Sequence, residues 1–230
     1  MHANKLHFIF LIIYSVLFFP SCIKYYKIAK PETNQGKNLP DPHKVVFDNE
    51  RDVAVYDQFQ TRAIFNVLRL SEAIRKAYVD MNVLKNGKDE QTKQALLRRQ
   101  LEENKHWMSF YVLADIKDKR NVSLNDKNSL WSLFLQLKDG EKVRPISIKE
   151  VELEPEYQSM FDYRFNLFKR TYEVKFPVVD LTGNHFSKNG DDYELVFSSS
   201  KKSCEVNWGK KLGLYKQGMR KYKDEDYDRI

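Results

Sequence analysis

Apolar residues follow a helical period in one early stretch and alternate with polar ones over most of the remainder. Ile74, Ala77, Tyr78, Met81 and Leu84 keep the three- and four-residue spacing of a helix face. Ser71 stands in front as a cap, Glu72 suits the first turn, and Asn86-Gly87 is a stop. A helix is therefore predicted over about 71–84. A second, highly charged helix is predicted over 88–105, with a thin apolar stripe of Ala95, Leu97 and Leu101. There Arg98 and Glu102, and Arg99 and Glu103, stand four apart and meet on the surface.

From His106 the period changes to two. Met108, Phe110, Val112, Ala114 and Ile116 fall on one side of a strand, Trp107, Tyr111 and Leu113 on the other. That predicts a central strand covered on both faces. Trp131, Leu133, Leu135 and Leu137 repeat the alternation, and Asp139-Gly140 predicts a tight hairpin into a second arm over 142–151, with Ile146 and Ile148 inward. Further strands are read at Tyr172, Val174, Phe176 and Val178, at Tyr193, Leu195 and Phe197 after an Asn189-Gly190 turn, and at Cys204, Val206 and Trp208. Ahead of the helices, 45–47 and 53–56 are short strand candidates, and 62–70 fits a strand or the start of a helix. Six to eight strands and two helices inserted near the N-terminal side predict a mainly β (α+β) domain. The expected architecture is an antiparallel β-sandwich over 44–209, followed by a charged tail over 210–230.

The N-terminus has a different pattern. Lys5 precedes 12 uninterrupted apolar or small residues at 8–19, and then come Pro20, Ser21 and Cys22. The run has the length of the apolar core of a secretory signal and falls short of a membrane-spanning helix. An apolar core, a small residue and then Cys resembles the lipobox of bacterial lipoproteins. Phe19 stands where Leu is commonest in that family, and Pro20 where Ala or Ser is commonest. The resemblance covers about 22 residues. It implies cleavage after Ser21 and acylation of Cys22, and so a membrane-lipid partner. Several acyl chains make a stable anchor, whereas one binds only marginally. Residues 22–43 then read as the lipidated Cys and a tether, with Pro31, Pro40, Pro42 and little apolar patterning after Ile28. Ile23, rather than Asp, follows Cys22, which resembles outer-membrane sorting. The alternative reading is an uncleaved N-terminal anchor.

Charge changes the picture in one place. The net charge is +7, and residues 201–223 supply all of it, with eight basic residues against Glu205 alone; residues 224–230 add four acids and one Arg. Tyr215 and Tyr222 interleave with these cations, a composition that suits nucleic acid. Export removes that partner and leaves headgroups, cell-wall polymer or an envelope protein. The 42% hydrophobic content, with 15 Phe and 13 Tyr, is that of a chain with a packed core.

Candidate chemistry is sparse. His43, His106 and His185 have no His or Cys partner at ligand spacing, so no metal or other cofactor is expected. The chain carries no phosphate-cradling Gly loop, HExxH or GxSxG motif, and Ser198-Ser199-Ser200 reads as a loop. Cys204 reads as a buried, inert thiol. Acidic groups occur at Asp48-Asn49-Glu50, at Glu150, Glu152 and Glu154, and at Asp191-Asp192. The middle trio reads as a charged edge strand. These features point to a lipid-anchored envelope protein with a non-catalytic binding or structural domain. The competing expectation is an anchored hydrolase working through dispersed carboxylates such as Asp191 or a lone histidine such as His185.

Overall fold

The computed structural model describes residues 42–57, 59–117, 123–179, 183, 185–186 and 190–209. All lie in the compact unit Pro40–Ile230. The signal segment, Ser21, Cys22, most of the tether, Asn189 and the tail over 210–230 lie outside the described residues.

Among the described residues nine strands form two antiparallel sheets. The first has the order β1-β2-β3-β7-β6, from β1 (Glu50–Asp57), β2 (Gln60–Arg69), β3 (Trp107–Ile116), β7 (Arg170–Pro177) and β6 (Ser147–Glu150). The second has the order β5-β4-β8-β9, from β4 (Trp131–Leu137), β5 (Lys142–Val143), β8 (Tyr193–Ser199) and β9 (Ser203–Val206). The facing sides hold alternate residues: Phe65 and Val67 from β2, Phe110 and Val112 from β3, Tyr172 and Val174 from β7, and Leu133, Leu135, Leu195 and Phe197 from the second sheet. Packing these two apolar faces together gives the mainly β, sandwich-like fold that the alternation predicts.

The outer face of the five-stranded sheet carries a second core. Leu68 and Leu113 meet Ile74, Tyr78 and Val79 of α2 (Glu72–Asn86) and Tyr157, Met160 and Phe161 of α4 (Pro155–Phe161). This explains why β3 is apolar on both sides: it is the central strand, with the second sheet on one face and helices on the other. The α2 boundaries follow from local chemistry. Ser71 Oγ accepts from Ile74 N (3.4 Å), and Gly87 closes the helix at φ 59°, a conformation that costs a Cβ-bearing residue strain. The charged helix α3 (Glu90–His106) is capped by Asp89 and buries no residue fully. Polar clamps hold it to α2. Arg75, 2% exposed, donates to Asn104 Oδ1 and Gln100 Oε1 (2.6 Å each) and faces Glu103 at 3.0 Å, while Lys93 meets Asp80 at 2.7 Å.

Several expectations need correction. Residues 45–47 are helical, in α1 (Pro42–Asn49), where Pro42 takes the first position and loses no ladder bond there. The Asp139-Gly140 hairpin forms, but its second arm is only Lys142–Val143. Pro145 has no N–H for a ladder, and the chain leaves the second sheet there. Ile146 N then donates to Lys175 O (2.8 Å), and β6 pairs with β7 in the first sheet. Ile148 packs on the core, whereas Ile146 is exposed. Of the acidic trio, only Glu150 lies on an edge strand; Glu154 stands just before α4 without a side-chain capping bond and accepts a hydrogen bond from the Tyr78 hydroxyl.

Candidate functional site

Polar residues inside apolar strands are the first places to look for function, because each needs a partner or costs free energy. Two groups of them flank the α1–β1 junction.

The first lies on the helix-covered face of the sheet. Register sets Glu50 opposite Leu68, Asp52 opposite Asn66, and Asn66 opposite Leu113. The segment after α4 crosses above them. Arg164 reaches Glu50 Oε2 at 3.3 Å and Asp52 Oδ1 at 3.8 Å, and Lys169 Nζ donates to Asn66 Oδ1 and to the Arg164 carbonyl, both at 2.8 Å. Glu50 is only 8% exposed, and its Oε1 has no hydrogen-bond partner. Burial pushes its carboxyl up to about 7; Arg164 opposes that, and Asp52 and Asp162 add to it. Burial also lowers the Lys169 ammonium, against the pull of Asp115. The site therefore offers a carboxyl that can exchange a proton near neutrality, beside one guanidinium and one ammonium. It also fastens the 162–169 segment to the sheet.

The second group lies at the end of the sandwich interior. Arg69, 9% exposed, donates to Asn49 Oδ1 (3.3 Å) and the Tyr193 hydroxyl (3.5 Å) and sits 5.7 Å from the Trp208 ring centroid. Trp208 Nε1 donates to Asn49 O (2.8 Å), and Arg51 Nε to Asn207 O (3.1 Å), so the chain after β9 is pinned to the start of β1. Gly190 presses on this group: a Cβ there would stand 2.3 Å from the Arg69 guanidinium.

The structure does not gather the sequence candidates into one site. His106 ends α3, exposed, 3.7 Å from Glu102, and His185 is exposed on an isolated bridge to Val179. Cys204 lies in β9, and burial pushes its thiol up to about 12, which makes it a poor nucleophile at neutral pH. Ser199 Oγ accepts from Lys202 N and donates to Lys202 O, so it serves the β8–β9 turn. Glu150 takes part in a surface contact with Arg170 at 3.6 Å. Asp191 and Asp192 precede β8 beside Tyr193. Among the described residues no group of three His, Cys, Asp or Glu is placed to hold a metal ion. Cys22 and Ser21 lie outside the described residues. Glu50 belongs to the acidic Asp48-Asn49-Glu50 group of the sequence, whereas Asn66, Arg69, Arg164 and Lys169 belong to no sequence motif. For Asn66 and Arg69 the signal is a polar residue interrupting an otherwise apolar strand, as Asn66 does between Phe65 and Val67; Arg164 and Lys169, outside the strands, carry no such mark.

No family model matches the chain, and no curated protein matches it. Among solved structures, a Burkholderia pseudomallei protein of unknown function aligns over 64% of this chain and 79% of its own, at 16% identity and a TM-score of 0.35. That likeness carries no argument.

Proposed function

We propose that the chain is a bacterial envelope lipoprotein, acylated at Cys22 after cleavage behind Ser21, whose β-sandwich domain binds or supports other envelope components without catalysis. The observation that carries this reading is the 12-residue apolar run at 8–19 ending in Ser21-Cys22. The rest is consistent with it: among the described residues no helix is long and apolar enough to cross a membrane, and the packed domain begins about 20 residues after Cys22. Fractionation of cells expressing the full chain and its Cys22→Ala form tests the anchor. Wild type is expected in the membrane pellet after a carbonate wash, with the substituted form at precursor size. Equal processing of the two forms contradicts the reading.

One observation favours a second reading, an anchored hydrolase: Glu50 carries a carboxyl near neutrality beside Asp52. Turnover of cell-wall or glycan substrates, lost in Glu50→Gln, would establish it. Its absence with both leaves the binding role.

A further inference from the structure

Three large apolar side chains stand in water on two turns. Phe59, in the β1–β2 turn, is fully exposed, and Leu167 and Phe168, in the turn before β7, are 93% and 92% exposed. Strand register places both turns at one end of the five-stranded sheet. Asp57 pairs with Gln60 across the first turn, Ala63 at the start of β2 pairs with Ile116 at the end of β3, and Ala114 pairs with Arg170 at the start of β7. β2 and β7 flank β3, so the two turns are about 10 Å apart across the strands; Ala114 sets Arg170 level with Phe65, so the β1–β2 turn reaches roughly 17 Å further along them, and a tilted sheet brings both to one plane. The second turn is held in shape: Asn166 Oδ1 accepts from Phe168 N (3.0 Å), Asn166 O accepts from Lys169 N (3.2 Å), and Lys169 is fastened to Asn66. Its apolar side chains are thus presented by a fixed backbone.

We infer that this end of the sheet is a membrane-docking edge that places Phe59, Leu167 and Phe168 in the interfacial layer of a phospholipid bilayer. The inference deepens the lipid-anchored reading and rests on it for proximity. The apolar groups are separate knobs on convex turns, and a fluid interface accepts knobs without a matching surface. Among the described residues, cations around them pair with neighbouring carboxylates, Arg62 with Asp57 and Lys117 with Asp115 at 2.9 Å, and Arg170 with Glu150 at 3.6 Å. Among the described residues these charges balance, and insertion of the edge is driven by its apolar surface. Residues 23–41, extended, reach at most about 65 Å, enough for a chain held at Cys22 to bring either end of β1 to the bilayer. Tethering raises the effective concentration of bilayer, so a weak insertion suffices.

The test uses the full chain in zwitterionic phosphatidylcholine vesicles, with and without brominated acyl chains, comparing wild type with Phe168→Trp and Phe59→Trp. Wild type, with its 3 tryptophans, supplies the background. The expected result is a blue shift and loss of the added emission by brominated lipid at both positions. Added emission that stays at its aqueous wavelength and is not quenched overturns the inference, and a protein occupant of the tips would give that outcome. Acyl label on Cys22 is read from the same samples. Label without quenching overturns the docking edge and leaves the anchor standing, whereas absence of label removes the anchor and quenching still decides the edge.

Discussion

Phe65 of the first sheet and Phe197 of the second stack face to face, with centroids 4.0 Å apart and planes 12° from parallel. Trp131 meets the edge of Phe65 at 5.2 Å. This contact joins the two sheets at their centre, and both phenylalanines are fully buried. Phe65→Ala or Phe197→Ala is expected to cost about 3–5 kcal/mol, through lost transfer free energy and the cavity left behind. Urea unfolding of each variant measures it.

Arg75 is expected to hold α3 in place. Arg75→Leu removes charge-assisted bonds to Gln100 and Asn104 and the ion pair with Glu103, and is expected to cost about 2–3 kcal/mol. Because α3 buries no residue fully, the loss should fall on that helix first. Amide exchange is expected to speed up across Glu90–His106 while β3 and β7 stay protected.

Glu50 gives stability an unusual pH dependence. Its folded value of about 7 lies above the usual 4.5, so the folded state holds a proton that the unfolded state gives up between those values. Stability from this group is therefore full below about 4.5 and falls as the pH rises to about 7, by on the order of 1–3 kcal/mol. Glu50→Gln is expected to flatten that slope. Unfolding free energies of both forms at pH 5 and pH 8 give the double difference, and an unchanged difference removes Glu50 as its source.

Gly190 adopts φ +72° against Arg69, Tyr193 and Trp208. Gly190→Ala is expected to destabilise by about 1–3 kcal/mol, from backbone strain and the displaced guanidinium. Tryptophan emission, which Trp208 shares in, should shift as Arg69 moves off its ring.

The strand alternation was legible because burial of one face per sheet leaves a period of two. Tyr172, Val174 and Phe176 show it on β7, and Leu195 and Phe197 on β8. Reading β3 as covered on both faces also anticipated a layer outside the sheet. Three things were not legible. Val45, Val46 and Phe47 suit a strand by propensity, yet tertiary packing of Val45 against the α2 core makes them a turn of helix. The Glu50–Arg164 and Asn66–Lys169 contacts join residues more than 100 positions apart, and no local pattern encodes such pairs. The short α4 has too few turns to show a period, and Pro155 at its first turn is its one local mark.

The central claim concerns Cys22, and radiolabelled palmitate tests it most directly. The full chain and its Cys22→Ala form are expressed with label and compared by autoradiography and mass. Label on the wild type alone, with a mature mass beginning at Cys22 and the substituted chain left at precursor size, is the expected result. No label on either form, or equal label on both, contradicts it.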